Sequence, residues 1–350
     1  MRVGLVVFDD VDYGLDLAAM LHEAGQEVCL YLSEKHVAPY VGVTERPAER
    51  IEEVGLLPPA CKLRLYRLPR MRDPRSLGVV RQMSRDIRAD KVDVLHILVG
   101  PGELWPAVLS HLVGRTPIAA TMIIPKPNVG EQLPAWVPIA IYRLLAWGAD
   151  LIIVNGADQV ALVQQLYGVP ERRLAYVPLG PRTTAVRWSL RSVAEDPATV
   201  LFFGAARRHK GLEYLIQAQP LVKQRVPEAR LLVVSRGEEL ERCRPLMSAD
   251  GFEVHAGFVP GDLAAEYFQR AGVVALPYLS ASTSGILMTA YAFGKPVVAT
   301  RVGCLPEYVQ DGVTGLLVAP ANVEELADAL ARLLADGALR RRMGQAAQQW

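Results

Sequence analysis

The chain has 350 residues, of which 51% are hydrophobic and 21% charged, and its formal net charge is +1. Because single cores stop growing at about 250 to 300 residues, this length suits about two domains. The apolar content excludes a disordered chain, and the small net charge excludes a general electrostatic attraction to nucleic acid.

Short runs rich in Val, Ile and Leu alternate with longer segments of helical period, which is typical of parallel sheets buried on both faces. In the first half, strands are expected at 2–8, 27–32, 93–97, 117–121 and 151–155, with helices near 14–24, 76–89, 103–113, 138–147 and 157–167. In the second half, strands are expected at 199–203, 230–235, 253–256, 273–276, 296–299 and 315–318. The predicted fold class is α/β, with two doubly wound Rossmann-like domains.

The domain boundaries follow from a segment without a clear period. We expect an amino-terminal domain over 1–180, a linker over 181–198 and a carboxy-terminal domain over 199–350. Two such domains facing a cleft place the carboxyl ends of both sheets toward it, where ligands of these folds bind. Near the end, Asn322 predicts a helix cap, and a further helix still runs at Trp350. We therefore expect the native chain to extend further.

The cysteines and the first residues bear on the cellular setting. The four cysteines lie far apart without a C-x-x-C pair, so neither a disulfide framework nor a zinc site is signalled, and a reducing cytoplasm is expected. The first apolar run is short and ends in Asp9 and Asp10, which predicts a buried strand rather than a signal peptide. No run reaches the roughly 18 apolar residues of a membrane span.

A first strand-glycine-helix junction carries basic residues. Gly204 ends an apolar strand, and Arg207 and Lys210 lead into the next helix. A glycine turn lets the backbone approach a ligand, and a helix start favours anions. Arginine offers a planar fork and lysine a mobile point charge for phosphate oxygens. The junction therefore predicts a diphosphate site, although basic residues before a helix are also typical of a solvated surface.

A second junction follows a later strand. Thr283, Ser284, Gly285 and Ile286 open a helix directly after small residues. Backbone amides at such a helix start form a cradle for anions. The alternative is that the serine and threonine hydroxyls only cap the helix.

Further motifs continue these junctions in one order. They are Phe203-Gly204, Arg207, Lys210-Gly211-Leu212, Ser284-Gly285, Ala292 to Thr300, Gly303, Leu305-Pro306-Glu307 and Asp311-Gly312 to Leu317. Together they resemble the nucleotide-sugar domain of the family-four retaining glycosyltransferases, whose fold is GT-B. The amino-terminal half is similar more loosely.

The resemblance implies a role for each motif. Arg207 and Lys210 would neutralise the donor diphosphate and serve as the catalytic residues. The donor-binding residues would be Gly14, Gly204, Phe258, Val259, Thr283, Ser284, Gly285 and Ile286, with Phe258 and Val259 near the nucleobase. Transfer in this family proceeds with retention, and the departing phosphate helps to deprotonate the acceptor. The expected partners are a nucleotide-sugar donor and a carbohydrate, lipid-linked or small-molecule acceptor, with no cofactor and no metal.

The sequence departs from the family pattern at four positions. The usual glutamate pair falls on Ala281 and Thr289, the commonest arginine on Ala205, and the histidine of a Thr-x-His pattern on Ile123. Thr289 is kept as a tentative site residue. An active transferase and a catalytically degenerate nucleotide-sugar-binding relative with a regulatory role therefore both remain open, and an epimerase of the same fold is a third hypothesis.

Three features of the amino-terminal half are weighed against structural roles. Asp10 and Asp12 match a metal-binding D-x-D string, but Asp12 is expected to cap the helix around Gly14 instead. Gly14 is expected to let a loop approach the donor. His96 closes a strand and is a tentative acceptor-side residue, although a lone histidine there is commonly structural.

The segment from Lys62 to Lys91 concentrates positive charge, since ten basic and three acidic residues give a local net charge of +7. The basic residues are Lys62, Arg64, Arg67, Arg70, Arg72, Arg75, Arg81, Arg85, Arg88 and Lys91. The pattern suits a solvated helix or peripheral contact with an anionic membrane, to which the apolar stretch around Trp136 would contribute. Nucleic acid is not expected, because Tyr66 is the one aromatic residue interleaved.

Overall fold

The computed structural model describes residues 1–43, 45–68, 73–100, 102–125, 134 and 136–350. The chain divides into two compact units, with the boundary between Gly180 and Pro181. The predicted Arg70 and Arg72 of the basic segment lie outside the described residues.

The first unit is built on a seven-stranded parallel sheet. Its strands are β1 (Arg2–Val7), β2 (Glu27–Ser33), β3 (Lys62–Tyr66), β4 (Val94–Val99), β5 (Ile118–Met122), β6 (Leu151–Val154) and β7 (Leu174–Tyr176), in the order β3-β2-β1-β4-β5-β6-β7. The order reverses between β1 and β4, whose register pairs Val3 with Val94 and Val7 with Leu98.

Helices connect these strands. They are α1 (Val11–Glu23), α2 (Glu34–Val41), α3 (Pro47–Glu53), α4 (Arg75–Ala89), α5 (Leu104–Leu109), α6 (Trp136–Gly148) and α7 (Asp158–Tyr167). Right-handed crossovers place α1 to α3 on one face of the sheet and α4 to α7 on the other. Within the described ranges, no helix is long and apolar enough to cross a membrane.

The second unit repeats the plan with a six-stranded parallel sheet. Its strands are β8 (Asp196–Ala205), β9 (Arg230–Arg236), β10 (Phe252–Ala256), β11 (Ala271–Leu276), β12 (Val297–Thr300) and β13 (Gly315–Val318), in the order β10-β9-β8-β11-β12-β13. Its helices are α8 (Thr184–Arg187), α9 (Leu212–Arg225), α10 (Glu238–Cys243), α11 (Gly261–Arg270), α12 (Gly285–Ala292), α13 (Leu305–Tyr308), α14 (Val323–Ala335) and α15 (Gly337–Gln349).

The central strands of both sheets are buried because their residues are apolar on both faces. Val200, Leu201 and Phe202 of β8 are at most 1% exposed, and all of β11 is buried. Burial of such apolar area stabilises the fold by about 25 cal/mol per Å². The α/β, doubly wound class predicted from the sequence is therefore confirmed.

The element bounds agree with the sequence pattern except at a few places. Each expected strand is present within a few residues, but the pattern does not predict β3 and β7. The segment 181–198, expected as an irregular linker, contains α8 and the first residues of β8 and clusters with the second unit. Asn322 does cap α14, since its side-chain oxygen accepts a hydrogen bond from the Glu325 amide at 3.0 Å.

Candidate functional site

The carboxyl edge of the second sheet brings the two predicted junctions together. β8 and β11 are neighbours at the point where the chain order along the sheet reverses. Ligands of open parallel sheets bind outside the carboxyl ends of strands at such a reversal. The segments that follow β8 and β11 are therefore the expected borders of a binding site.

Gly204 is the point at which the two junctions meet. Its φ of +98° lies in the region that favours glycine. A Cβ atom at this position would stand 3.4 Å from Nζ of Lys210 and 3.7 Å from Cδ1 of Ile286. The Ser235 hydroxyl donates a hydrogen bond of 2.7 Å to the Gly204 carbonyl. The structure thus brings Gly204, Lys210 and Ile286 together, although they lie far apart in the sequence.

The turn that carries Lys210 is fixed on the segment after β11. The Leu279 amide donates to the carbonyl of His209 at 2.7 Å. Gly211, with φ +65°, has no room for a side chain, because a Cβ atom would stand 2.0 Å from the carbonyl oxygen of Pro277. The position of the lysine therefore depends on a close backbone approach that only glycine permits.

Two cations lie at this edge. Arg207 is exposed, whereas Lys210 is partly buried and its ammonium stands 5.5 Å from the centre of the Tyr278 ring. Among the residues that the structure describes, no carboxylate forms an ion pair with either side chain. Positive charges that are not neutralised by the protein attract anions, and phosphate suits both side chains.

The first turn of α12 supplies backbone donors beside these cations. Ser284 is buried and caps the helix, since its hydroxyl accepts from the Leu287 amide at 3.2 Å. The capping interpretation of this serine is therefore correct, but it leaves the helix start available to an anion. The early amides of a helix, here including those of Gly285 and Ile286, lack intrahelical acceptors and carry the positive end of the dipole. Thr289 uses its hydroxyl within the helix, donating to the Gly285 carbonyl at 3.0 Å.

The loop that carries Thr283 is packed on the segment after β12. Gly303 has φ +49°, and a Cβ atom there would stand 1.7 Å from the carbonyl oxygen of Ala281. The Cys304 thiol donates to the carbonyl of Ser282 at 2.5 Å. These contacts restrain the loop that leads into α12.

Phe258 and Val259 lie after β10, two strands away from β8. Phe258 is 48% exposed, and the guanidinium carbon of Arg236 stands 5.1 Å from the centre of its ring. Arg236 ends β9 opposite Ala205 of β8. The sequence reasoning missed Arg236, because a single arginine after a strand carries no motif. An arginine stacked on an exposed aromatic ring is suited to contact a planar base.

In the first unit, the D-x-D string and Gly14 belong to the start of α1. The Asp10 carboxylate accepts from the Tyr13 amide at 3.2 Å, so Asp10 is the cap and the expectation that Asp12 caps the helix is wrong. Gly14 lies within the helix rather than in a loop, and a Cβ atom there would stand 2.9 Å from Cγ2 of Val7. Within the described part of the chain, no group of three or more His, Cys, Asp or Glu side chains is placed to hold a metal ion.

His96 lies on β4 and is bonded to the neighbouring strand. Its Nε2 stands 2.7 Å from the hydroxyl oxygen of Thr121 on β5. Burial lowers the pKa of His96 to about 4, so the ring is neutral at pH 7. This geometry is that of a hydrogen-bonded structural histidine, and Ile123 offers no ionisable group beside it.

Glu103 is a titratable group that the sequence reasoning missed. It follows β4, and its carboxylate accepts a hydrogen bond from the Gly100 amide at 2.6 Å. Burial, together with the nearby Asp9 and Asp10 charges, raises the pKa of Glu103 to about 8. A shift caused by desolvation and like charges at a sheet edge is a property that functional sites share.

Two family profiles match most of the chain. The family described as glycosyl transferases group 1 matches residues 197–336, and the glycosyl transferase 4-like domain matches residues 12–180.

Curated relatives extend this match over the whole chain. A D-inositol 3-phosphate glycosyltransferase of Pseudarthrobacter chlorophenolicus is 29% identical, with coverage of 96% of this chain and 84% of the relative. A GDP-mannose-dependent alpha-(1-6)-phosphatidylinositol monomannoside mannosyltransferase of Mycobacterium tuberculosis is 30% identical, with coverage of 70% and 69%. The chain spans only 51% of a D-inositol 3-phosphate glycosyltransferase of Kribbella flavida, which is 33% identical.

Solved structures share the architecture. HepE of Anabaena in complex with UDP-glucose superimposes with a TM-score of 0.70 at 16% identity and covers 100% of this chain and 94% of HepE. TarM superimposes with a TM-score of 0.75 at 8% identity, with coverage of 99% and 94%.

Proposed function

Since the chain belongs to the group 1 glycosyltransferases with the GT-B fold, we propose that it moves a sugar from a nucleoside-diphosphate sugar to an acceptor hydroxyl with retention and without a metal ion. The observation that carries this proposal is the meeting of the Lys210 ammonium, the Gly204 turn and the first turn of α12. A positive side chain beside a helix N-terminus is suited to phosphate.

In this proposal the protein stabilises the leaving group. As the bond from the anomeric carbon to the phosphate oxygen breaks, its electron pair stays on that oxygen. Lys210, Arg207 and the amides of α12 stabilise the growing charge, which makes their effect larger in the transition state than in the ground state. The acceptor oxygen attacks the same face of the sugar and its proton passes to the departing phosphate. The two cations thereby supply the charge that a metal ion supplies elsewhere.

The donor and acceptor classes are proposed by analogy with the relatives. The HepE structure holds UDP-glucose, and the mycobacterial relative is named for GDP-mannose. Both relatives named for inositol act on phosphorylated or lipid-linked inositol acceptors. We therefore propose a UDP- or GDP-hexose as donor and an inositol phosphate or an inositol lipid as acceptor.

A second function is favoured by the residues that replace the family pattern. Ala281 and Thr289 have no carboxylate to grip the donor sugar, and the Thr289 hydroxyl is used within α12. A chain with an intact phosphate site and no such carboxylates would bind a nucleotide sugar without turning it over. Its role would then be regulation of a partner.

Binding and turnover separate these two functions. UDP, GDP and ADP are first compared by thermal shift, since a ligand at 100 times its Kd adds about 2.7 kcal/mol of stability. Donor consumption is then followed with and without EDTA, and the anomer of the product is read by NMR. Consumption that EDTA leaves unchanged, with a retained anomer, supports the first function. Tight binding without consumption supports the second, and loss of activity that manganese restores refutes metal independence.

A peripheral membrane contact is proposed for one face of the first unit. α4 presents the exposed arginines Arg81, Arg85 and Arg88, and α5 packs between α4 and α6. On α6, Trp136 is 70% exposed and Trp147 is 83% exposed. Exposed tryptophans suit the headgroup region, and each basic residue near an anionic surface adds about 1 kcal/mol. Not all of the basic segment contributes, because Lys62 and Arg64 bind Asp90.

A further inference from the structure

Arg182 packs against the first turn of α12. It lies just before α8, which contacts α12, and it is only 5% exposed. A Cβ atom on Gly285 would stand 3.0 Å from Nη2 and 3.4 Å from Cζ of Arg182. The guanidinium therefore occupies the space that a side chain at position 285 would fill.

This placement puts a third positive group at the proposed phosphate site. Lys210 lies on one side of the turn, next to Ile286 and Gly204, and Arg182 lies against Gly285. Cations are disfavoured at a helix N-terminus, because the dipole is positive there. An anion bound at the turn would convert this unfavourable arrangement into a stabilised one. A guanidinium also offers two parallel N–H donors to a phosphate, which an ammonium does not.

We propose that Arg182 is a phosphate-binding residue of the donor site and contacts the distal phosphate, the one that leaves with the nucleotide. The proposal rests on the proposed function and adds to it a residue that no motif marks. Because the side chain is buried and packed, its charge is fixed before the reaction, which favours stabilisation of the leaving group. The distal phosphate is absent from a nucleoside monophosphate, so the two nucleotides report on different parts of the site.

The test compares diphosphate with monophosphate binding in Arg182→Gln and Arg182→Lys. Whichever of UDP, GDP or ADP the wild type binds best is titrated by calorimetry beside its monophosphate. We expect Arg182→Gln to weaken diphosphate binding by about tenfold or more and to leave monophosphate binding within about twofold, with Arg182→Lys in between. Arg191→Gln is the matched control, because Arg191 is 82% exposed and stands 3.9 Å from Glu266; it should change neither affinity.

Two outcomes would be informative in different ways. If the wild type binds no nucleoside diphosphate, the proposed function fails and the inference with it. If the wild type binds one and Arg182→Gln lowers both affinities equally, or neither, the inference is overturned while the function stands. Should Arg182→Gln not fold, Gly285→Ala presses a methyl group against the guanidinium and must show the same diphosphate-selective loss.

Discussion

Replacing Lys210 by alanine tests whether the turn after β8 is a catalytic site or a solvated surface. The ammonium stands beside Gly204 and Ile286 and is partly buried. At about 4 Å and an effective dielectric constant of about 20, two unit charges attract by about 4 kcal/mol. The bond-breaking step increases the charge on the phosphate, so most of this attraction is gained in the transition state. Turnover should therefore fall by about 10² to 10³, as it does when a comparable preorganised contact is removed.

The assay must separate turnover from binding and from folding. We expect Lys210→Ala to lower kcat more than it weakens nucleotide binding, with the circular dichroism spectrum unchanged. Arg207→Ala should behave similarly, whereas Arg208→Ala should change kcat by less than about twofold, since exposed substitutions stay within about 0.5 kcal/mol. Lys223→Ala is the matched lysine control, because Lys223 lies on α9 and pairs with Asp250 at 3.0 Å, away from the site. Equal and small effects at positions 207, 208 and 210 would mean that the assignment of the site is wrong.

Three further predictions concern other parts of the chain. Glu103→Gln should stabilise the protein increasingly as the pH rises from about 4.5 to 8, because the pKa of Glu103 is raised to about 8 and the unfolded chain loses its proton first. The gain at pH 8, read from urea unfolding, should be on the order of 3 kcal/mol. Arg236→Ala should weaken nucleoside-diphosphate binding by about five- to tenfold and leave inorganic pyrophosphate binding unchanged, since the pair with Phe258 is worth about 1 kcal/mol. Wild-type protein should sediment with anionic vesicles at low salt, and the double substitution of Trp136 and Trp147 by alanine should reduce the bound fraction several-fold.

Each of these predictions has an outcome that contradicts it. A stability difference between Glu103→Gln and wild type that does not change with pH would mean that the carboxyl titrates normally. Equal loss of diphosphate and pyrophosphate binding in Arg236→Ala would place that arginine on phosphate instead of base. Absence of wild-type protein from anionic vesicles at low salt would end the membrane proposal.

The sequence predicted the buried strands but not the outer ones. Central strands of a parallel sheet are apolar on both faces, so their runs stand out. β3 and β7 lie at the two edges of the first sheet, and β3 alternates lysine and arginine with apolar residues. An edge strand needs one buried face at most, so its composition resembles that of a loop or a helix. The short β7 gives even less signal.

The site divides in the same way. Lys210 and Ser284 were predicted because each lies in a local strand-glycine-helix pattern, and the structure brings their two segments together. Arg182 and Arg236 were missed, because their placement depends on contacts with Gly285 and Phe258, which are distant in the sequence. A charge is visible in a sequence, but the ring or helix that it packs against is decided by tertiary structure.

The glycines explain how a site without the usual glutamate pair keeps its shape. At Gly211 and Gly303 the backbone approaches a neighbouring carbonyl so closely that a Cβ atom would stand 2.0 Å and 1.7 Å away. A methyl group at either position would push a segment by about 1 Å or more before reaching van der Waals contact, and misplacement of that size can cost about 10²-fold in rate. The segments that hold Lys210 and the start of α12 are therefore positioned by backbone contacts, which do not depend on the side chains at positions 281 and 289. Loss of those carboxylates removes contacts to the sugar while the phosphate end of the site stays assembled, so nucleotide binding and sugar transfer are separable properties of this chain.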